Sequence, residues 1–544
     1  MVTGYDYIVV GGGSAGCVVA NRLSSNPAAQ VLLVEAGARD WNPLLRVPLM
    51  ATFFMRKKYH NWAYLTEPEP NLNNRQIPWP RGRVLGGSSQ LNGMVYIRGN
   101  RGDYDHWAQL GLRDWSYEKV LPFFRKSEKF LDNAIEGREQ YHGSNGELPV
   151  MRTPVDDPLY KAFVAAGQDA GYRANPDFNG EQQEGFGRYH FTIRDGQRWS
   201  TARSFIGPIA DRKNLTVLTG AQLIKVVIEN GRAIAIDVRS GGKVERIFAS
   251  QEIVLSCGAI TSPTALMHSG IGDAEELRKH GVKIVADRPN VGRNLQDHLT
   301  IRVVHASQKP DSLYDLRRID RSAASVLRAL FTRKGPATSM PLEGGAFIRS
   351  RPEMEHPDLQ IHFFPGVPAQ NGLRVPFEKP LPGVYDGYGF AGTICQLRPE
   401  SRGHIALKNS DPFAAPRIHA NYLATEGDKL TMRAGFKILR DVLNRKPFGF
   451  MQSKEVQPGP AAQSDAEIDA YIKQYAGTVY HPVGTCRMGI DPDSILDEEL
   501  RVREVERLRV ADASVMPTLI SGNTNAPSIM IGEKCADYML RAAN

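Results

Sequence analysis

The stretch Tyr5 to Ala36, YDYIVVGGGSAGCVVANRLSSNPAAQVLLVEA, narrows the fold more than any other part of the chain. Tyr7 to Val10 are a short run of strand formers, and Gly11, Gly13 and Gly16 follow in G-x-G-x-x-G spacing. Val18, Val19 and Leu23 then recur at helical spacing until Pro27. Val31 to Val34 form a second strand that ends at Glu35. This is a βαβ unit for a dinucleotide: Gly11 permits the tight turn, Gly13 leaves bare backbone for a pyrophosphate, and Gly16 allows close packing of helix and strand. The phosphates sit on the helix N-terminus, where unpaired N–H groups and the positive dipole end favour anions. Glu35 is placed to accept both hydroxyls of an adenosine ribose and to repel a 2′-phosphate, which speaks against NADP.

The 544 residues are enough for two or three cores. With 42% hydrophobic and 23% charged residues, the composition suggests neither disorder nor a membrane-spanning protein, and no apolar run nears the ~20 residues of a transmembrane helix. The first strand begins by Tyr5, leaving no room for a secretory leader, so a cytoplasmic protein is expected. A net charge of +8 is spread out, densest at Arg56-Lys57-Lys58 and Arg317-Arg318. Neither cluster has the interleaved aromatic residues of a nucleic-acid platform, so nucleic acid is not an expected partner. Solvated surface is the first reading of these clusters, and peripheral contact with the inner face of an anionic membrane is the alternative. Cys17, Cys257, Cys395, Cys486 and Cys535 are odd in number and scattered, which supports neither a metal site nor a disulfide framework.

An irregular connection, Glu67 to Pro80, leads into Arg81 to Met94 (RGRVLGGSSQLNGM). Its small residues let backbone approach a flat ligand, with Asn92 as donor and acceptor; a plain glycine-rich turn remains open. Asp105 to Thr201 mixes helix and loop and carries no clear chemistry. From Leu215, alternating apolar and polar residues between the turns Asn230-Gly231 and Gly241-Gly242 predict antiparallel strands. Ile253 to Leu255 return as a buried strand before Gly258 and a helix near Ser262-Pro263, and Pro289 to His298 form a turn-rich exit. Residues 301–476 predict a second sheet, with strands at Leu359–Phe364, Gly389–Leu397 and His404–Leu407. Phe363, Phe364, Tyr388 and Phe390 are candidates for an apolar substrate pocket, although core packing is the commoner fate of such residues. Pro482 keeps His481 out of the helical region and gives it a fixed extended backbone suited to proton transfer. Arg509 to Ala511 form a short strand ending at Asp512, placed to bond a polyol, and Ser521 to Pro527 open a last helix.

These stretches resemble the glucose–methanol–choline oxidoreductases over essentially the whole chain. The likeness rests on the N-terminal glycine unit ending in Glu35, on Gly82 to Asn92, on Gly258 to Pro263 with Ser269 to Gly272, and on His481-Pro482 with Asn523 to Pro527. Tyr96 to Asn100 and Gly484 to Gly489 are most similar to the choline-dehydrogenase-like alcohol dehydrogenases. The resemblance implies an α/β protein: a Rossmann-like FAD-binding domain joined to an α+β substrate domain built on an antiparallel sheet. Residues 1–155, 206–300 and 477–544 would form the first, and 156–205 and 301–476 the second.

It also implies FAD, held by Gly11, Gly13, Ser14, Ala15, Gly16, Glu35 and Ala36; by Trp62, Arg83, Leu85, Gly86, Ser88, Asn92, Gly93, Met94 and Val95; and by Leu223 over the adenine, Cys257 and Gly258. Tyr480, Asp512, Ala513, Asn523, Asn525 and Pro527 complete that set. Members with covalent flavin carry a histidine directly before the asparagine of the second motif; Leu91 stands there, so the flavin is expected to be noncovalent. The implied reaction is oxidation of a primary alcohol, hydrophobic aliphatic or aromatic, with hydride passing to flavin N5. His481 would be the base and Asn523 would position the hydroxyl, while Asn525 fits a helix cap better. Electrons would pass to a quinone. The alternatives are an oxygen-using oxidase, a choline dehydrogenase, a hydroxynitrile lyase on the same fold and a nucleotide-binding sensor. Neither the oligomeric state nor the particular alcohol follows from the sequence.

Overall fold

The structure, a computed structural model, describes residues 4–310, 312–367, 385 and 387–542. Strand β1 (Gly4–Val10), helix α1 (Ser14–Leu23) and strand β2 (Val31–Glu35) form the expected unit, with β1 and β2 parallel from Tyr7↔Val31 to Val10↔Val34. All five residues of β2 are buried. Strands covered on both faces read as continuous apolar runs, which is why Val31 to Val34 show no alternation.

The first sheet runs in the order Leu215–Thr219, β2, β1, Lys243–Leu255, Arg232–Ser240, Ala221–Glu229. The 13-residue strand Lys243–Leu255 changes partners along its length. Its first part is antiparallel to Arg232–Ser240, and its last part is parallel to β1 and to Leu508–Val510. Leu215–Thr219 corrects one expectation, because it pairs parallel with β2 instead of opening the antiparallel set. Five parallel strands therefore end along one edge, at Val10, Glu35, Thr219, Leu255 and Val510. That carboxyl edge is where open α/β sheets bind ligands.

The second sheet is antiparallel, in the order Lys454–Gln457, Leu299–Ala306, Gly389–Gln396, Leu359–Phe364, Gly344–Ile348, Gly185–Arg188, with Gly477–Thr478 also on Leu299–Ala306. The expected strand at His404 lies outside it, as a two-stranded ribbon with Arg417–His419. Strand parity divides the faces. Leu299, Ile301, Val303, Leu359, Ile361, Phe363, Phe390 and Ile394 join one buried cluster with Phe436 and Leu439 of helix Glu426–Leu443. Phe363 and Phe390 thus belong to the core and not to a substrate pocket, while Tyr388 packs on Tyr314. The opposite face carries Thr300, Arg302, Gln360, His362, Phe364 and Thr393 and is turned toward the first sheet's carboxyl edge.

Candidate active site

A cavity of about 480 Å³ lies between that polar face and the carboxyl edge. Gly11, Gly13, Ser14, Ala15, Glu35, Ala36, Trp62, Ser88, Asn92, Gly93, Met94, Val95, Leu223, Cys257, Gly258, Tyr480, His481, Asp512, Ala513, Asn523 and Asn525 all line it. Gly16, Arg83, Leu85, Gly86 and Pro527 stand behind that lining. Arg83 stacks on Trp62 at 4.5 Å, and Gly86 donates its N–H to the Gly12 carbonyl at 2.6 Å, which ties the Arg81–Met94 stretch to the glycine turn.

The dinucleotide end has the shape that a pyrophosphate on bare backbone needs. Gly11 turns with φ +102°, and a Cβ on Gly16 would come within 1.9 Å of the Gly11 carbonyl oxygen. A Cβ on Gly13 would meet nothing nearer than 3.9 Å, and one on Gly258 nothing within 4 Å, so the room beside both belongs to the cavity. Two helices open there, α1 at Ser14 and the closing helix Asn525–Ala542. They are tied by Ser14 Oγ donating to Asn525 Oδ1 at 2.7 Å. Ser528 N–H bonds the Thr524 carbonyl, so Thr524, not Asn525, holds the cap position.

Glu35 accepts the Gly12 N–H at 3.0 Å and the Gly37 N–H at 2.7 Å. Burial pushes its carboxyl up to about 7 against these bonds. Asp512 is more committed than the sequence suggests: it accepts the Gly258 N–H, the Ser262 hydroxyl and the Ser514 N–H. Asn92 is also partly engaged, since its Oδ1 takes the Met94 N–H and Arg198 Nη1, leaving its amide Nδ2 for a ligand.

His481 sits at the other end, 8% exposed. Tyr480 before it holds φ +68°, in the left-handed region, secured by Arg81 Nη2 on its carbonyl at 2.5 Å and by Thr478 Oγ1 on its N–H at 2.6 Å. Asp297 accepts the His481 N–H at 2.6 Å and the Thr478 and Tyr422 hydroxyls. The imidazole is fixed by a chain of donors and acceptors. The Leu397 carbonyl can only accept, so His298 presents Nε2–H to it at 3.1 Å. The His298 Nδ1 is then an acceptor and takes Nδ1–H of His481 at 3.0 Å. His481 Nε2 is left as an acceptor at the cavity wall, where it takes Asn523 Nδ2–H at 3.2 Å. Asn523 is oriented in turn by Gln360 Nε2, which donates to its Oδ1 at 3.3 Å.

Burial, then the neighbouring His298, His362 and Arg81, hold His481 well below the usual histidine value; burial also brings His298 down to about 3. Both rings are neutral at pH 7. Arg81, Asp297, His298 and Gln360 carry no role in the sequence reading. The first three lie inside the stretches Arg81–Met94 and Pro289–His298, but only the folded register joins them to His481.

Comparison with known proteins bears on the whole molecule. Residues 5–300 match the N-terminal domain and residues 399–532 the C-terminal domain of GMC oxidoreductases. An alcohol dehydrogenase (acceptor) of Pseudomonas putida is 44% identical over 99% of this chain and 96% of its own length. An oxygen-dependent choline dehydrogenase of Brucella anthropi is 40% identical over 98% and 95%. Among solved structures, pyridoxine 4-oxidase from Mesorbium loti superposes with a TM-score of 0.86 at 31% identity over 98% of both chains. The glycine turn, the paired helix N-termini and the histidine–asparagine pair are thus set in a matched framework, and the chain belongs to the GMC oxidoreductase family.

Proposed function

We propose that this oxidoreductase converts a primary alcohol with a hydrophobic aliphatic or aromatic body to the aldehyde, and that its electrons go to a quinone-type acceptor. The family acts on CH–OH groups, and FAD is the cofactor. The observation that carries the reading is His481 Nε2, an unprotonated nitrogen facing the cavity beside an amide donor. His481 takes the hydroxyl proton at Nε2, and Asn523 Nδ2 donates to the alcohol oxygen and holds it. His298 is a positioning residue that keeps the base in the right tautomer. FAD supplies the two-electron acceptor for the hydride. The backbone at Gly13 and Gly258 would hold its pyrophosphate end, Glu35 its ribose and Leu223 its adenine. The N-terminus of Asn525–Ala542 presents its positive end to the same cavity.

The flavin is noncovalent in this reading, because Leu91 is a buried apolar residue packed with Leu45, Phe54 and Val84 and offers no nucleophile. Acid precipitation of the holoenzyme should release FAD to the supernatant; colour left on the pellet would refute it.

An acceptor other than oxygen rests on likeness to the Pseudomonas putida alcohol dehydrogenase (acceptor); likeness to the oxygen-dependent choline dehydrogenase and to pyridoxine 4-oxidase favours oxygen. Choline is a poorer candidate on charge. Among the described residues lining the cavity the acids are Glu35 and Asp512, both at the carboxyl edge, and Asp297 beside His481 lies behind the lining with its oxygens taken by the His481 N–H and two hydroxyls, so a quaternary ammonium meets no cavity carboxylate there. Anaerobic mixing with alcohols should bleach the flavin, and mixing the reduced enzyme with quinone and with oxygen should show quinone to be faster. Absence of bleaching with every alcohol would overturn the oxidation reading. Peripheral contact with an anionic membrane is part of the proposal, supported by the basic clusters and by an outward apolar stripe on helix Ile319–Thr332.

A further inference from the structure

The cavity face of the second sheet carries three polar groups with no side-chain hydrogen-bond partner among the described residues. Arg302, Thr393 and His362 are directly opposed across three neighbouring antiparallel strands, in the register Arg302↔Thr393 and Thr393↔His362. Opposed residues point to the same side of a sheet and lie within ~6 Å of each other, so the three side chains form one row. All three line the cavity, while the alternate residues Ile301, Val303, Ile361 and Ile394 are buried on the other face. Among the described residues, the Arg302 guanidinium has neither a hydrogen-bond acceptor nor a carboxylate partner. His362 is 6% exposed and its Nδ1 has no partner. A buried nitrogen such as His362 Nδ1 is normally paired, and an unpaired one in a cavity wall beside a half-buried guanidinium marks what the cavity receives. Both acids of the described lining are elsewhere and already engaged, Glu35 by Gly12 and Gly37 and Asp512 by Gly258, Ser262 and Ser514.

We propose that the row Arg302–Thr393–His362 is a carboxylate subsite, and that the alcohol oxidised at His481 also carries a carboxylate. The guanidinium supplies a planar pair of donors matched to a carboxylate, with the Thr393 hydroxyl and the neutral imidazole of His362 as flanking donors. Gln360, two residues before His362 on the same face, bonds Asn523, so the row lies one step along the sheet from the alcohol site. Phe364 lies on the same face two residues beyond His362, on the side away from Gln360 and Asn523, and packs against the cluster that holds Met340 and Leu342. An ω-hydroxycarboxylate has this pattern, and the length series below finds which one fits. The inference rests on His481 as the alcohol site, and its test separates the two.

The holoenzyme is assayed with pairs matched in length, hexanol against ω-hydroxyhexanoate and decanol against ω-hydroxydecanoate. One member of the acid series should exceed its neutral partner in kcat/KM at least tenfold. Arg302→Gln should lower kcat/KM for that acid on the order of 10–100-fold, mostly through KM, and leave the neutral alcohol unchanged; Arg302→Lys should restore part of the loss. Decanoate, which has no hydroxyl to oxidise, should raise the thermal midpoint of the wild-type holoenzyme saturably and that of Arg302→Gln not at all. Equal use of acids and neutral alcohols, or an equal loss of both in Arg302→Gln, overturns the subsite while leaving alcohol oxidation standing. If neither series reduces the flavin, the oxidation reading fails, and the decanoate titration alone decides the subsite: a response equal in both proteins overturns it.

Discussion

At the scale of single residues, the neutral relay from Leu397 through His298 to His481 fixes which nitrogen of the His481 ring is the acceptor, and the proposed role of that nitrogen can be tested. His481→Ala should lower the rate of flavin reduction by about 10²–10⁴ while flavin stays bound, since the ring touches no residue of the glycine turn. Wild-type reduction rates in the variant would remove His481 from the mechanism. Acidity tests the same arrangement. His298, His362 and His481 are all held below the ordinary histidine value by burial, His298 to about 3 and His362 to about 4. The base is therefore free throughout neutrality, and kcat/KM should stay flat as pH falls through 6.5 and drop only on the acid side of it. Stability has a related dependence, with a definite sign. In the unfolded chain these rings take protons near pH 6.5 and in the folded chain they do not, so stability present above about 6.5 is lost as pH falls below it. Three rings set an upper bound of about 4 kcal/mol per pH unit, read as a falling thermal midpoint between pH 7 and 5. His481 and Asn523 were legible because Pro482 and the resemblance singled them out. His298 was not, because its meaning depends on Gly477–Thr478 pairing with Leu299 and Thr300, a contact about 180 residues away in sequence.

At the scale of elements, β1, α1 and β2 were fully readable, since tight turn, periodicity and terminal acid all lie within one local stretch. The glycines in that unit do different things, and the difference is measurable. A Cβ at Gly16 would strike the Gly11 carbonyl oxygen at 1.9 Å, whereas one at Gly13 would enter the cavity with protein no closer than 3.9 Å. Gly16→Ala should therefore lower the stability of the apoprotein itself, whereas Gly13→Ala should fold normally and lose affinity for FAD. Thermal melts of both apoproteins, followed by FAD titration, check this; equal melting losses would contradict the division of labour. The second sheet was only partly legible. Leu359–Phe364 and Gly389–Gln396 announced themselves by composition, but Leu299–Ala306 and Gly344–Ile348 did not. Composition also could not say which aromatic residues face the ligand, because a strand's two faces are told apart only by register. Phe363 and Phe364 are adjacent, and one is core while the other lines the cavity.

At the scale of the whole molecule, the net charge of +8 gains a context where helix Ile319–Thr332 packs on the segment that leads into Arg56-Lys57-Lys58. Helix Ile319–Thr332 packs Val326 and Ala329 against Val47 and Ala337, with Leu49 and Met50 beside them. Its outer face shows Leu327 at 53% and Phe331 at 84% exposure, flanked by the exposed Arg321, Arg328, Arg333 and Lys334. Directly after Met50 comes the short helix Ala51–Arg56, whose Phe53 is 39% exposed and whose Thr52 and Met55 line the cavity. Arg56, Lys57 and Lys58 follow it. Among the described residues no helix is long and apolar enough to cross a membrane. Apolar side chains rimmed by cations suit the interface of an anionic bilayer, where buried area and lipid charge add. Such a surface beside the cavity would put an apolar alcohol and a quinone within reach of one opening. The protein should therefore sediment with vesicles containing phosphatidylserine and not with neutral ones, and rising salt should release it, because each basic residue near the surface contributes about 1 kcal/mol that is screened beyond a Debye length. Leu327→Asp with Phe331→Asp should weaken sedimentation while leaving turnover of soluble alcohols with a soluble acceptor unchanged. If the double variant sediments like the wild type, the membrane contact does not run through this helix.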